Sequence, residues 1–335
     1  MDSLSQAALG AAVGLAAMGR RTAPWKAALW GAVCGTLPDL DVLIDHGDAV
    51  RNMTLHRAES HALFWLTLVS PLLAGGIAAL HRDTAGWRRW WLAVWLALVT
   101  HPLLDAMTVY GTQLALPFSD RPYGVGSIFI IDPLYTLPLL AGVGAALRLH
   151  SARGARWNAA GLVLATAYLA WSVAAQQLAT SAARAALGAQ GIAPERLLVT
   201  PTPFNTLLWR VVAVTPDSYH EGFHSLLDTA PGIAFERHPR GAELAGELRG
   251  LKPVERLAWF SRGFYRYGES AGELRVSDLR MGQEPHYLFT FTVARREAGR
   301  VVAVPPVRVG LRPDLRRSLV WLWRRASGEP LPPLR

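Results

Sequence analysis

The segments Pro38-Asp39-Leu40-Asp41 and His56-Arg57-Ala58-Glu59-Ser60-His61 interrupt a chain that is otherwise rich in Leu, Ala, Val and Trp. A third polar segment, His101-Pro102-Leu103-Leu104-Asp105, lies inside another apolar run. Ionisable groups are costly in such runs and usually serve a function. Carboxylates and imidazoles are the ligands that zinc, manganese and iron share. The sequence therefore predicts a metal site at one end of a membrane-embedded helical bundle.

The composition limits the classes of protein to consider. Of the 335 residues, 51% are hydrophobic and only 18% are charged, and 13 are Trp. The first half is too apolar for an ordinary soluble protein. The net charge of +9 could suggest nucleic acid, but no RNA- or DNA-binding signature accompanies it, so membrane lipids are the expected partners. The single cysteine, Cys34, excludes an internal disulfide and a cysteine-based zinc knuckle.

Six apolar runs are each near the ~20 residues that a membrane-spanning helix needs. They cover residues 3–19, 25–44, 61–80, 90–109, 128–149 and 157–187. The first run resembles a signal peptide, but Arg20 and Arg21 follow it instead of preceding it, which favours a retained helix. We expect residues 1–188 to form a multi-pass transmembrane domain of about six helices that contains the metal site.

The basic residues of the loops predict the orientation of this bundle. Three alternate loops carry nine of them, namely Arg20, Arg21, Lys26, Arg82, Arg88, Arg89, Arg148, Arg153 and Arg156. The opposite loops carry three, namely Arg51, Arg57 and Arg121. Because basic loops stay in the cytoplasm, the metal motifs should face the outer side of the membrane, which in a bacterium is the periplasm or exterior.

The character of the chain changes after residue 188, and residues 189–335 are predicted to form a smaller α+β extracytoplasmic domain that faces the periplasm or exterior. Strands are expected over 197–200, 206–215, 218–226 and 286–294, with a hairpin formed by 264–267 and 273–277 and a helix over 242–262. The segment 319–325 is too short to span a membrane and is expected to be a short amphipathic segment that lies at an interface or packs on the domain.

Each polar segment has a functional and a purely structural interpretation. His101 and Asp105 are spaced i, i+4, so both can bind one ion from the same helix face, or form a buried hydrogen bond. Asp39 and Asp41 follow Pro38, where a helix ends, so they can converge on an ion or remain solvated acids at that terminus.

The segment from His56 to His61 is the densest of the three. Two imidazoles, an Arg and a Glu within six residues favour a metal site over a simple loop. Glu59 could be a ligand, a general base or an exposed acid. Arg57 could hold an anionic oxygen such as a phosphate through its planar fork, or contact lipid headgroups.

Together these segments resemble the bacterial membrane-bound, metal-dependent hydrolases typified by YdjM. The similarity covers roughly residues 1–145 and lies in MDSLSQAALGAAVG, GTLPDLDVLI, LHRAESHALF, LVTHPLLDAMTVYGTQLALPFSD and SIFIIDPLYTLPLL. The resemblance implies a multi-pass inner-membrane protein and a distant similarity to zinc phospholipase C and P1-type nucleases. The chain departs from the family's pattern at Gln6, where many members have a histidine, and at Ala62, where a serine is common.

The resemblance implies a set of metal ligands or their immediate partners: Asp39, Asp41, His56, His61, His101 and Asp105. We expect a hydrolase with a divalent metal, zinc, that acts on a lipid-like or phosphoester substrate at the outer face of the membrane. Asp41 or Glu59 would accept a proton from water, and Arg57 would bind an anionic oxygen. The alternatives are a metal-binding or transport protein and a structural membrane anchor for the second domain.

Overall fold

The computed structural model describes residues 1–230, 232–310 and 314–334 and divides into two compact units. The first, the helical unit, comprises Met1–Ile44, His56–Val173 and Pro203–Asn205. The second, the sheet unit, comprises Asp45–Leu55, Ala174–Thr202 and Thr206–Arg335. The segment that joins the first two polar motifs thus belongs to the sheet unit, although both motifs belong to the helical unit. The domain boundary at residue 188 stays a prediction.

The expected apolar runs are helices. Those that contribute to the helical unit are α1 (Ser3–Met18), α2 (Pro24–Thr36), α4 (Leu63–Leu80), α5 (Trp87–Ala106), α6 (Pro133–Leu149) and α7 (Ala152–Ala189), while α3 (Ala49–Leu55) lies in the sheet unit. The prediction of about six helices in the first part of the chain is therefore confirmed. Two of them, α4 and α7, are long and apolar enough to cross a membrane, whereas α1 and α6 are shorter apolar helices.

The second helix is shorter than its apolar run. It ends at Thr36, and a 3₁₀ turn over Leu37–Leu43 replaces the helix predicted to continue to residue 44. Proline lacks the N–H that an α-helix needs in its interior, so Pro38 favours the change. Asp39 and Asp41 therefore lie outside the regular helix, so the helical spacing of α2 does not determine the directions of their side chains.

Small residues allow α1 and α2 to pack with their backbones in close approach. A Cβ atom placed on Gly10 would lie 2.2 Å from the carbonyl oxygen of Gly31, and one placed on Gly35 would lie 2.8 Å from the carbonyl oxygen of Gln6. Larger side chains at these positions would push the helices apart. The same core continues through Trp90 and other buried residues of α5.

The sheet unit contains two four-stranded antiparallel sheets and a two-stranded ribbon among the described residues. The first sheet has the order β1-β2-β3-β4, with β1 (Arg196–Pro201), β2 (Leu208–Val214), β3 (Ser218–Ser225) and β4 (Phe235–Pro239). The second has the order β10-β9-β6-β5, with β5 (Tyr265–Ser270), β6 (Glu273–Asp278), β9 (Thr290–Glu297) and β10 (Arg300–Arg308). The ribbon pairs β7 (Gly282–Gln283) with β8 (His286–Tyr287). Two further helices, α8 (Lys252–Phe260) and α9 (Leu315–Ala326), complete the unit.

The prediction of a sheet-rich second region is confirmed, but two of its elements are wrong in detail. The helix expected over 242–262 is only α8, preceded by a 3₁₀ turn at Ala242–Ala245, because Gly250 takes a φ of 82° that no α-helix contains. The strand expected over 286–294 is divided between β8, in the ribbon, and β9, in the larger sheet. The missed strand β10 contains two prolines and lies at a sheet edge, where missing N–H groups are tolerated.

Candidate metal centre

Three elements of the helical unit bring four of the predicted ligands together. Asp39 comes from the 3₁₀ turn after α2, and His61 from a second 3₁₀ turn immediately before α4. His101 and Asp105 lie one turn apart on α5. One donor atom from each of the four residues lies within 4.8 Å of all the others. The side chains of His61, His101 and Asp105 are fully buried, and that of Asp39 is 19% exposed.

The four distances from histidine nitrogen to carboxylate oxygen in this cluster match the edges of a metal-centred tetrahedron, and the distance between the two nitrogens is shorter. Bonds of 2.0–2.2 Å from zinc to nitrogen or oxygen in a tetrahedron imply donor–donor distances of about 3.3–3.6 Å. From the Nε2 atom of His61, Asp39 Oδ1 lies at 3.4 Å and Asp105 Oδ2 at 3.3 Å. From the Nε2 atom of His101, the same oxygens lie at 3.5 Å and 3.4 Å. The two Nε2 atoms are 3.0 Å apart.

The hydrogen bonds of the two imidazoles assign their protons. The Nδ1 atom of His101 lies 2.6 Å from the carbonyl oxygen of Gly35, which can only accept, so Nδ1 carries a proton. The Nδ1 atom of His61 lies 2.8 Å from Ser60 Oγ, which donates its own proton to Asp41 Oδ2 at 2.5 Å. In the neutral form of each ring, Nε2 then presents a lone pair to the other ring. Two lone pairs at this distance repel each other unless a proton or a metal cation lies between them.

The carboxylate oxygens that face the cluster also lack hydrogen bonds of normal geometry in the part of the chain that the structure describes. Among the described residues, no hydrogen bond of normal geometry reaches Asp39 Oδ1 or Asp105 Oδ2, although both atoms are buried. The donor set of two imidazoles and two carboxylates therefore fits a divalent metal ion, and the cluster could bind one.

The other oxygen of Asp105 is held by the first helix. Gln6 donates from Nε2 to Asp105 Oδ1 at 3.1 Å and to the carbonyl oxygen of His101 at 3.2 Å. The amino group of Met1 also donates to Asp105 Oδ1. These contacts leave Oδ2 for the cluster. They also place Gln6 beside the metal ligands, at the position where the sequence resemblance implies a histidine.

Asp41 and His56, the other two predicted ligands, lie beside the cluster and contact each other. The Nδ1 atom of His56 is 2.7 Å from Asp41 Oδ1. Asp41 Oδ2 also accepts a hydrogen bond from the backbone N–H of Arg57 at 2.9 Å. Burial would raise the pKa of Asp41, but these bonds, with that from Ser60, lower it. Asp41 thus connects the first motif to the second and supports His61 through Ser60.

Arg57 is buried and conformationally strained. Its φ of 67° lies in the left-handed region, which is uncommon for a residue with a side chain and is often found at functional sites. Its Nε atom lies 3.2 Å from Asp105 Oδ2, and its guanidinium carbon lies 4.9 Å from the centre of the Tyr110 ring. Glu59, by contrast, is exposed. The fork of Arg57 therefore lies at the cluster, next to a carboxylate that a metal ion would share.

Sequence reasoning did not assign a role to three groups that organise this centre. Ser60 lies inside the second motif and could have been found there, because a hydroxyl between a histidine and an acid is a common supporting contact. Gln6 was noticed only as a departure from the family pattern. The carbonyl of Gly35 has no sequence signal, because every residue carries a backbone carbonyl.

The fold and the site define a helical protein whose buried histidine and aspartate cluster could bind a metal ion. The chain belongs to the family described as YdjM inner membrane protein, which matches residues 1–179. The expected family is thus confirmed, and an inner-membrane location is consistent with it.

Two curated relatives are similar to the chain over different lengths. The uncharacterized protein YfhP of Bacillus subtilis is 25% identical over 271 residues, which cover 76% of this chain and 77% of that protein. The inner membrane protein YbcI of Escherichia coli is 32% identical over 123 residues, which cover 36% of this chain and 69% of that protein. No solved structure is significantly similar.

Proposed function

We propose that this protein is a metal-dependent hydrolase embedded in the inner membrane, with zinc as its metal and a lipid-like phosphoester as its substrate. One observation carries the proposal: the buried Nε2 atoms of His61 and His101 lie 3.0–3.5 Å from each other and from two buried carboxylate oxygens that accept no hydrogen bond of normal geometry from the described residues. Such a set of donors suits a divalent cation. Asp39, His61, His101 and Asp105 would hold it.

When bound, zinc would lower the pKa of water and polarise a phosphoryl oxygen. The protein's own contribution begins with the pair formed by Asp41 and His56. Asp41 orients the imidazole through Nδ1, as carboxylates orient catalytic histidines, which leaves Nε2 to take a proton from water. Glu59 is the alternative proton acceptor, since it is exposed in the same motif.

Arg57 supports the choice of a phosphoester. A guanidinium next to a metal cluster can bind an anionic oxygen that the metal also contacts, because its planar fork suits phosphate. In the metal-free site, the Asp105 carboxylate neutralises the positive charge of Arg57. If Asp105 also bound a metal, it would neutralise Arg57 less, and Arg57 could attract an anionic substrate. A lipid-like substrate suits a site at the end of a helical unit in an inner membrane protein family.

We place the centre at the periplasmic or outer face, with six membrane crossings before the sheet unit. The bias of nine basic residues against three in alternate loops supports this orientation. Six crossings would place residues 189–335 in the periplasm or exterior.

A structural metal site is the second candidate, and one observation favours it. Four protein donors are typical of closed structural zinc sites, whereas catalytic sites keep a position for water. In the catalytic interpretation, Asp39, the most exposed of the four, lies on the side where water or substrate would enter. A transport role is less favoured, because the polar ligands lie together at one end of the unit.

Metal analysis of the purified full-length protein tests the proposal. We expect stoichiometric zinc in the wild type and its loss in His101→Ala and Asp105→Ala, while the matched variants His46→Ala and Asp120→Asn, both outside the cluster, retain it. A phospholipid panel then tests hydrolysis with and without a chelator. A metal-free wild type would overturn the metal centre. Bound zinc with no hydrolysis of any phosphoester would favour the structural site.

A further inference from the structure

The last helix, α9, is attached to the sheet unit by one face only. Trp321, Arg325 and Ala326 are buried. Arg325 Nη2 donates to Asp228 Oδ2 at 2.8 Å and to the carbonyl oxygen of Phe223 at 3.0 Å. The Trp321 ring packs edge-on against Phe223. These contacts bury one side of α9 and leave the opposite side exposed.

The outward side presents a stripe of large apolar side chains. Leu315, Leu319 and Trp323 follow each other at i, i+4 and i+8, which places them along one line of the helix. They are 72%, 51% and 78% exposed, and the neighbouring Val320 is 54% exposed. Isolated exposed apolar residues are ordinary, but four on one side of a 12-residue helix form a patch of the kind that marks an interaction surface.

Arginines border this stripe. Arg316 and Arg317 are exposed and have no acidic partner among the described residues, whereas Arg324 pairs with Glu329. All three line an open groove of about 680 Å³ between α9 and the segment Leu331–Leu334. That segment is held in place by Trp321, whose indole N–H donates to the carbonyl oxygen of Pro332 at 2.7 Å. An apolar stripe thus lies next to a preformed basic groove.

We infer that α9 is a docking surface for anionic phospholipid. Leu315, Leu319 and Trp323 enter the boundary between headgroups and acyl chains, and Arg316 and Arg317 bind lipid phosphates. Amphipathic helices with aromatic and leucine residues on one side and arginine on the other bind membranes in this way. The chain belongs to an inner membrane protein family, so a bilayer is the expected neighbour of this helix. A second copy of the helix fits less well, because in each copy the unpaired Arg316 and Arg317 outnumber Asp314, the acid of the same groove.

Spin labelling of the full-length protein in lipid nanodiscs tests this inference. A nitroxide is attached to Leu319→Cys in a Cys34→Ala background, and its accessibility to oxygen and to an aqueous nickel chelate is measured. Nanodiscs of phosphatidylcholine alone are compared with nanodiscs containing phosphatidylglycerol. We expect the label to be lipid-exposed in the anionic discs. Each arginine near an anionic surface contributes about a fivefold preference for the bound state.

A charge-reversal variant sharpens the test. Arg316→Glu with Arg317→Glu should shift the ratio of docked to free helix by roughly 25-fold or more towards the free state. The control Arg249→Glu with Arg300→Glu, which makes the same charge change at two other exposed positions, should leave the docked fraction unchanged. A label that remains accessible to the aqueous chelate in anionic discs would overturn the inference. The inference would also be overturned if the label were equally protected from the aqueous chelate in detergent and its spectrum showed spin–spin broadening. That result would indicate that a second copy of the protein covers α9.

Discussion

At the scale of single residues, the candidate centre depends on groups that never touch the cation. Ser60 accepts from His61 and donates to Asp41, so that one proton chain determines which nitrogen of His61 is available as a ligand. Supporting contacts of this kind commonly contribute 10- to 100-fold to metal affinity.

Removing this support should weaken metal binding without removing any ligand. We expect Ser60→Ala and Asp41→Asn each to lower zinc affinity by about 10- to 100-fold, because the Nδ1 proton of His61 loses its acceptor chain. Titration against a competing chelator measures the effect. Asp120→Asn, an exposed acid elsewhere in the helical unit, is the control. Unchanged affinity in both variants would mean that His61 is oriented by packing alone.

Arg57 offers a second prediction at this scale. Arg57→Lys keeps the positive charge but loses the planar fork, so binding of inorganic phosphate to the zinc-loaded protein should weaken about tenfold, the worth of one charge-assisted hydrogen bond. Zinc content should not change, since Arg57 is not among the four donors. Isothermal titration measures both quantities. Arg51→Lys, an exposed arginine, should bind phosphate like the wild type, and equal binding by Arg57→Lys would contradict the assigned role.

At the scale of elements, the close packing of α1 and α2 controls the centre indirectly. Gly31 lets the two backbones meet, and Gly35, one turn later on α2, supplies the carbonyl that holds His101. The site therefore depends on a helix crossing that contributes no side-chain ligand.

A methyl group at this crossing should damage both stability and metal binding. Gly31→Ala would place its Cβ 2.2 Å from the carbonyl oxygen of Gly10, which forces α2 to move. We expect a loss of about 1–3 kcal/mol in the free energy of unfolding and weaker zinc binding, because Gly35 moves away from His101. Gly76→Ala on α4 meets no atom within 4 Å and should stabilise its helix slightly. Thermal unfolding in detergent compares the two variants. Equal melting temperatures for Gly31→Ala and Gly76→Ala would contradict the close packing of α1 and α2.

The attachment of α9 gives a prediction about pH. Burial would raise the pKa of Asp228, but Arg325 outweighs it and lowers that pKa. A lowered pKa in the folded state stabilises the protein above the unfolded value of about 3.9, and the stabilisation is lost as pH falls through the folded value. Asp228→Asn should therefore cost about 2–3 kcal/mol at pH 7 and progressively less below pH ~4.

Unfolding of both proteins in denaturant across this pH range measures the difference. Asp217→Asn, an exposed acid of the same unit, should show no comparable loss at pH 7. A cost for Asp228→Asn that does not depend on pH would show that the ion pair with Arg325 is not its source.

At the scale of the whole molecule, the orientation in the membrane is the main prediction. In a Cys34→Ala background, Glu59→Cys should react with an impermeant maleimide added to intact cells, whereas Arg88→Cys should react only after lysis. The physical reason is the excess of basic residues in the loops predicted to be cytoplasmic. Both positions are exposed in the structure, so burial does not limit their reactivity. The reverse pattern would place the metal centre in the cytoplasm and overturn the proposed location.

Several features of the fold were accessible from local sequence. The apolar runs predicted α1, α4 and α7 closely, because burial or lipid exposure requires continuous hydrophobic stretches. The boundary of α2 was missed, since its apolar run continues into a 3₁₀ turn that only Pro38 signals. The edge strand β10 was not predicted, because prolines are typical of turns and unfavourable inside most strands.

The ligand types were also visible in the sequence, because histidine and aspartate inside apolar runs stand out wherever they occur. The spacing of His101 and Asp105 on one helix even predicted that these two would act together. What the amino-acid order could not decide was which of the six candidates would meet. Asp39 joins the cluster while Asp41, two residues away, supports His61 instead. Such distances depend on how remote segments pack, and the carbonyl of Gly35 reaches His101 only because α1 and α2 approach through glycine.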